Sequence, residues 1–256
     1  MDGNHRQGDR KPTNLLHRKE LQLHALRNAR VCPVQMAIVL FDLEGTLIQS
    51  IEENKDAIHE FRMKTGNKLV ELGITRSELE GIEVSTLMRN KALEIVDSHF
   101  EKEKAAWFHH EMDKFLKGFE LRWAFQSRIF PDTHSTLCEL RRRNCKIGLV
   151  TNTSKEAAER MLVMHRIGSF FDVIVTREDV RRLKPDPEGI LLALKKLNGQ
   201  DFFFVGDLAH DSLATKRAGG ISITVKRNPS KALRFETDYV VISLEEVPDI
   251  VMNALR

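Results

Sequence analysis

The 256-residue sequence predicts an α/β protein with a doubly wound, mostly parallel sheet and an inserted all-helical cap domain. Three observations predict this fold. Short continuous apolar runs recur along the chain, as in strands that are buried on both faces. Amphipathic stretches of helical length separate most of these runs, and such alternation is typical of parallel sheets. One long stretch, residues 51–128, has apolar residues mostly at helical spacing and no β-rich run.

The first strand is predicted at the apolar run from Ala37 to Phe41. Similar runs predict five more strands, of which the last has the weakest pattern: Lys146–Val150, Asp172–Val175, Phe202–Val205, Ile221–Val225 and Tyr239–Val241. Amphipathic stretches predict the helices between them: Thr133–Arg143, Lys155–His165, Pro187–Leu197 and Asp211–Ala218.

These elements predict three regions. Residues 36–50 and 129–256 are expected to form the α/β core, and residues 51–128 the helical cap. Residues 1–35 carry seven Lys and Arg against three Asp and Glu, and their leucines make no convincing helical stripe. This part is therefore predicted to be a basic, poorly ordered extension.

Composition and charge exclude several classes of protein. The net charge is +3, and beyond the basic extension the chain is nearly neutral, so we expect no nucleic-acid partner. No apolar run approaches 18 residues, so we expect no membrane span. Three cysteines without paired spacing predict neither a disulfide framework nor a zinc site, and they favour the reducing cytoplasm. We expect a monomer or homodimer that acts on a small molecule.

Polar and charged side chains follow four of the predicted strands. Asp42-Leu43-Glu44-Gly45-Thr46 follows the first strand, and Thr151-Asn152 the second. Lys184-Pro185-Asp186-Pro187 comes after the third strand, and Asp207-Leu208-Ala209-His210-Asp211 comes after the fourth. A lone aspartate at a strand end is usually a turn or cap residue. However, ligands of open α/β sheets bind at the carboxyl ends of the strands, where these four segments should converge.

The ordered set closely resembles the signature segments of the haloacid dehalogenase superfamily of phosphohydrolases, in members that carry a helical cap after the first motif. The segments from Phe130-Pro131-Asp132 through Thr151-Asn152 to Lys184-Pro185-Asp186-Pro187 look most like phosphoglycolate-phosphatase-type members. The resemblance implies a phosphatase that needs Mg²⁺ and hydrolyses a small phosphorylated metabolite through an aspartyl-phosphate. The alternatives are a phosphomutase with the same residues and a binding or regulatory protein that has lost catalysis.

The resemblance assigns a role to each matching position. Asp42 matches the nucleophile, Lys184 the lysine that offsets negative charge, and Glu44 the general acid and base. Most members have aspartate at the last position, so the extra methylene of Glu44 is a departure from the family. Asp42, the backbone carbonyl of Glu44 and Asp207 match magnesium ligands, with Asp211 in support. Phosphate binding is expected from Thr151, Lys184 and the backbone amides of Gly45 and Asn152.

Overall fold

In the computed structural model, six strands form one parallel sheet in the order β3-β2-β1-β4-β5-β6. The structure describes residues 36–49, 55–228, 230 and 232–255. Every pair of neighbouring strands is parallel, which confirms the predicted fold class. The strands are β1 (Ile38–Phe41), β2 (Lys146–Val150), β3 (Val173–Val175), β4 (Phe202–Gly206), β5 (Ile221–Val225) and β6 (Tyr239–Val241).

The central strand β1 is buried on both faces of the sheet. Val39 and Phe41 pack into the hydrophobic core on one face, and Ile38 and Leu40 into the core on the other. This explains why β1 is a continuous apolar run without polar alternation. The chain moves outward from β1 to β3 and then returns to the opposite side of β1 at β4. The strand order therefore reverses beside β1, where open sheets of this kind bind their ligands.

Eight α-helices lie among the described residues. Four of them lie between β1 and β2, and the first three of these are α1 (Lys55–Glu71), α2 (Ser85–His99) and α3 (Lys102–Gln126). The others alternate with or follow the strands: α4 (Thr133–Arg142), α5 (Lys155–Met164), α6 (Glu188–Leu197), α7 (Ala209–Ala218) and α8 (Val247–Ala254). The prediction that α7 starts at Asp211 is wrong by two residues. The Asp211 carboxylate accepts the N–H of Leu208, so it closes the first turn from inside the helix.

Residues 55–126, here called the helical segment, hold no strand among the residues that the structure describes. The segment has its own hydrophobic core, which includes Leu69, Val96 and Phe108. The chain on either side of it runs side by side. The Gln49 N–H donates to the carbonyl of Arg128 at 2.7 Å, and the N–H of Phe130 donates to that of Leu47 at 3.2 Å. The stretches of chain that enter and leave the helical segment therefore lie side by side near the end of β1.

The unit from Met36 to Arg256 contains all of the elements above. Its division into a core of residues 36–50 and 129–256 and a cap of residues 51–128 stays a prediction. The predicted basic extension, residues 1–35, lies outside the described residues. Within the described part of the chain, no helix combines the length and the apolar character that crossing a bilayer requires.

Candidate active site

Asp42 lies at the centre of the sheet, one residue beyond β1. Its backbone N–H still donates to the carbonyl of Val205 in β4, at 2.9 Å, so the strand pairing fixes its position. Its side chain is buried, with the residue only 6% exposed. A buried carboxylate needs a partner that compensates its charge.

Lys184 supplies that compensation. Its ammonium Nζ lies 2.6 Å from Oδ1 of Asp42 and 2.7 Å from Oδ1 of Asp211, and all three side chains are buried. The side chain of Asn152 holds the backbone of Lys184. Its Oδ1 accepts the Lys184 N–H at 3.0 Å, and its Nδ2 donates to the Lys184 carbonyl at 3.2 Å. Loops after β2 and β3 thus deliver one ammonium to carboxylates that follow β1 and β4.

The three charges have unequal environments. Burial raises the pKa of Asp42 above its ordinary value, and the ammonium of Lys184 opposes this effect. Burial acts in the same direction on Asp211, but the charges of Lys184 and His210 and the hydrogen bonds from Lys184 and the Leu208 N–H together outweigh it. They hold the pKa of Asp211 below its ordinary value. Burial alone would lower the pKa of Lys184, yet the charges of Asp211 and Asp42 raise it. Lys184 is therefore an ammonium at neutral pH, and Asp42 is the less stabilised of its two carboxylates.

Three carboxylates form a potential metal site. Oxygen atoms of Asp42, Asp207 and Asp211 all lie within 4.8 Å of one another. Oxygen ligands of this charge are those that Mg²⁺ prefers, so the donor set fits that ion. Oδ2 of Asp211 accepts the N–H groups of Asp207 and Leu208, at 3.3 and 3.2 Å, which fixes the start of α7 against the cluster.

Gly45 allows the loop after β1 to approach this cluster. Its backbone has φ of +79°, which other residues rarely adopt. A Cβ atom at this position would lie 2.2 Å from Oδ2 of Asp207. The hydroxyl of Thr46 donates to Oδ1 of the same carboxylate at 3.3 Å. Glycine at position 45 therefore brings the loop against Asp207, and Thr46 orients the carboxylate.

Glu44 and Thr151 are both hydrogen-bonded to Thr153, in the loop after β2. Oε2 of Glu44 accepts the hydroxyl of Thr153 at 2.7 Å, which ties the loop after β1 to the loop after β2. Oγ1 of Thr151 accepts the N–H of Thr153 at 3.2 Å, so the hydrogen of its own hydroxyl is directed elsewhere. The side chain predicted as the general acid is thus held beside the one predicted to bind phosphate.

Comparison with known proteins decides the family. The model of the haloacid dehalogenase-like hydrolase family matches residues 39–225, a range that holds all eight candidate site residues. The chain belongs to this family. Pyrophosphatase PpaX of Bacillus velezensis is 28% identical over 230 residues, which cover 85% of this chain and 95% of that relative. The sequence resemblance is therefore confirmed, and this chain is a hydrolase of the haloacid dehalogenase-like family.

Solved structures show the same fold. The haloacid dehalogenase phosphatase of Thermococcus onnurineus is 26% identical, with a TM-score of 0.54, and the match covers 84% of this chain and 98% of that one. A protein described as a predicted phosphoglycolate phosphatase, from Haemophilus somnus, also has a TM-score of 0.54. It is 17% identical, and the match covers 85% of this chain and 99% of that one, so it supports the fold alone.

In this hydrolase, the structure also brings to the candidate site residues that the sequence analysis missed. Arg227, two residues beyond β5, stacks 3.7 Å from the ring of Phe130 and donates to both the Asp132 carboxylate and the Thr46 carbonyl. Asn90 in α2 donates to the Leu183 carbonyl at 2.9 Å, one residue before Lys184. The only sequence signal for Arg227 is a charge near a strand end, and Asn90 gives none.

Proposed function

We propose that this chain is a Mg²⁺-dependent phosphatase that hydrolyses a small phosphomonoester through an aspartyl-phosphate at Asp42. The observation that carries the proposal is the bridge from Lys184 to Asp42 and Asp211 inside a cluster of three carboxylates. An anionic nucleophile and an anionic phosphate repel each other, so the reaction needs cationic groups at this point. Membership of the hydrolase family and the names of the relatives support phosphoryl chemistry.

In the proposed first step, a carboxylate oxygen of Asp42 attacks phosphorus, and the bond to the leaving oxygen breaks. The carboxyl of Glu44 gives its proton to that oxygen. Thr151 and the amides of Gly45 and Asn152 hold the phosphoryl oxygens, while Lys184 offsets their charge. When bound at Asp42, Asp207 and the carbonyl of Glu44, with Asp211 in support, Mg²⁺ would neutralise charge on the phosphoryl group.

The second step restores the free carboxylate. Glu44, now ionised, takes a proton from a water molecule, and the hydroxide attacks the phosphorus of the aspartyl-phosphate. The bond between phosphorus and Asp42 breaks, and inorganic phosphate leaves. One carboxyl can serve both steps because Glu44 returns to its protonated form as Asp42 is released.

We propose that the helical segment acts as the cap of this site. The contact from Asn90 to Leu183 supports this proposal, because it joins α2 to the loop that carries Lys184. A cap excludes water other than the attacking molecule and supplies contacts to the substrate. Free thiols at Cys138 and Cys145 support a cytoplasmic location, and we expect a monomer or homodimer.

The test is phosphate release from a panel of small phosphomonoesters, with inorganic pyrophosphate included because of the PpaX relative. We expect turnover that requires added Mg²⁺ and is lost in Asp42→Asn, which changes charge at nearly constant volume. Asp207→Ala should raise the Mg²⁺ concentration required or abolish turnover. Asp249→Asn, on an exposed part of α8, is the matched control and should retain full activity.

Two results would contradict the proposal. Phosphate release by Asp42→Asn at the wild-type rate would remove Asp42 from the reaction. Turnover that consumes a phosphosugar without releasing phosphate would identify a phosphomutase instead.

A further inference from the structure

Two arginines are almost completely buried where the helical segment meets the loop after β3. Arg89 in α2 is 5% exposed and Arg177, two residues beyond β3, is 1% exposed. A buried guanidinium is costly unless acceptors satisfy its charge and its N–H groups. The number of acceptors around these two side chains therefore determines whether each buried N–H group has a hydrogen-bond partner.

The acceptors are too few for both guanidinium groups. Nη1 of Arg177 donates to Glu120. Oδ1 of Asp113 lies 3.4 Å from Nε of Arg177 and 3.6 Å from Nη2 of Arg89, too far for good hydrogen bonds to either. Nε and Nη1 of Arg89 and Nε and Nη2 of Arg177 are buried without a hydrogen-bond partner among the described residues.

The charge on Arg89 is also incompletely compensated. Burial lowers the pKa of Arg89 below its ordinary value, and the neighbouring charge of Arg177 acts in the same direction. Asp113 opposes both effects without cancelling them. A further negative group beside Arg89 would therefore be stabilising.

An open cavity of about 440 Å³ provides room for such a group. Its lining includes Arg89, Arg177, Arg181, His109, Asp113 and Glu178, and none of the eight candidate active-site residues. We call it the junction cavity. Nε and Nη2 of Arg177 lie on one edge of the guanidinium, the edge that binds a carboxylate or phosphate through two parallel hydrogen bonds.

The acidic side chains of the lining do not fill this role. The Glu178 carboxylate accepts the N–H of Lys155 at 2.7 Å, so it is engaged at the start of α5. Asp113 lies near both arginines, and its side chain is 42% exposed. It therefore keeps much of its hydration and shares one oxygen between two cations.

We propose that the junction cavity is a second anion site, which binds the carboxylate or phosphate group of a small molecule between Arg89 and Arg177. The site lies outside the candidate active site and joins α2 and α3 to the loop after β3. Its occupant would complete the hydrogen bonds that the protein leaves open at these two side chains.

Calorimetric titration of the full chain with sulfate, and separately with acetate, tests the proposal in Mg²⁺-free buffer at constant ionic strength. Sulfate represents tetrahedral oxyanions and acetate represents carboxylates, so the two titrations separate the sources of the shared chemistry. We expect saturable binding of at least one anion. Arg89→Met should weaken it by about tenfold or more, because one charge-assisted contact is worth that factor. Arg76→Met removes an exposed arginine of the same segment and should bind as wild type does.

Two further variants keep the result decisive. Asp113→Asn removes the competing negative charge and should tighten anion binding, a gain that loss of folding cannot produce. Thr151→Val removes a contact of the proposed phosphate site, so binding that persists in this variant and is weakened by Arg89→Met belongs to the junction cavity. Absence of saturable binding in the wild type, equal affinity in Arg89→Met, or loss of binding in Thr151→Val would each overturn the proposal.

Discussion

At the scale of single residues, the unusual position is Glu44. The family resemblance predicts aspartate there, and the extra methylene gives the carboxyl a longer and more flexible reach. The hydrogen bond from Thr153 to Oε2 restricts that flexibility. A general acid must be held within reach of the leaving oxygen before its pKa matters. Thr153 thus helps to position the longer side chain that this chain carries at position 44.

Glu44→Gln tests the role in proton transfer. Glutamine keeps the size of the side chain and still accepts the hydrogen bond from Thr153, but it cannot exchange a proton. We expect turnover of an alkyl phosphate to fall by about 10²–10⁴-fold. The loss should be much smaller for an aryl phosphate, whose leaving group departs without a proton. Steady-state rates on both substrates measure the difference, with Glu44→Asp as the variant that retains substantial activity. Equal losses on both substrates would assign Glu44 a structural role.

At the scale of loops and helices, close contacts between the strand-end loops set their geometry. Gly45→Ala tests the close approach of one loop to Asp207. Gly81→Ala is the matched control, since Gly81 has nearly the same backbone φ, +77°, and a Cβ added there would have no atom within 4 Å. Each change should cost about 1–2 kcal/mol for the left-handed backbone.

Only Gly45→Ala should also reduce activity, by roughly 10²-fold, because it displaces a carboxylate of the proposed metal site. Thermal unfolding and phosphate release separate the two effects. Similar activity of the two variants would show that the approach of Gly45 to Asp207 is not needed.

Asp132, directly before α4, connects this helix to Arg227 after β5 and to Leu244 after β6. Its carboxylate accepts hydrogen bonds from Arg227, at 2.7 and 3.0 Å, and from the N–H of Leu244 at 2.8 Å. Burial alone would raise the pKa of Asp132, but these contacts outweigh it and hold the pKa below its ordinary 3.8. The stabilisation is therefore complete above pH 3.8 and is lost as the pH falls through the pKa of the folded state.

Asp132→Asn should lower the free energy of unfolding by about 1.5–3 kcal/mol at pH 7, because it removes charge-assisted hydrogen bonds from Arg227. The difference in Tm between the variant and the wild type should shrink as the pH falls below about 4. Thermal unfolding between pH 7 and pH 3 measures this, and a difference that does not vary with pH would contradict the assignment.

The sequence predicted the elements better than the contacts between them. Strand bounds agree within one residue, because a short apolar run buried on both faces has well-defined ends, as in β1. Candidate residues at four strand ends could be predicted because parallel strands end at one edge. Some contacts could not be predicted: the hydrogen bonds between the Asn152 side chain and the backbone of Lys184, and the hydrogen bond from Arg227 to the Thr46 carbonyl. They depend on the directions of side chains that are more than 30 residues from their partners in the sequence. The periodicity of apolar residues in the sequence does not indicate these directions.

At the scale of the whole molecule, Glu120 joins the helical segment to two strand-end loops. Its carboxylate contacts Arg177 and accepts the N–H of Ser154 at 3.1 Å, and both contacts are buried. Glu120→Gln should therefore cost about 3 kcal/mol, because it leaves Arg177 without its close counterion. That cost corresponds to a decrease of roughly 6–12 °C in Tm for a chain of this size.

Glu111→Gln is the control in the same helix α3. Glu111 lies 3.7 Å from Lys68 and is more exposed, so its change should cost less than about 1 kcal/mol. Thermal unfolding of the two variants makes the comparison. Equal decreases in Tm would mean that the contact between Glu120 and Arg177 does not hold the segment in place.

The position of β1 between β2 and β4 also has a consequence for synthesis of the chain. The ribosome completes β1 about 160 residues before it completes β4, the strand that covers one edge of β1. At typical rates of translation this delay is about 8–32 s. During that time an apolar strand has an open hydrogen-bonding edge, which is a site for aggregation. Production of this protein in cells should therefore depend on chaperones that bind nascent chains, and overproduction of such a chaperone should raise its soluble yield.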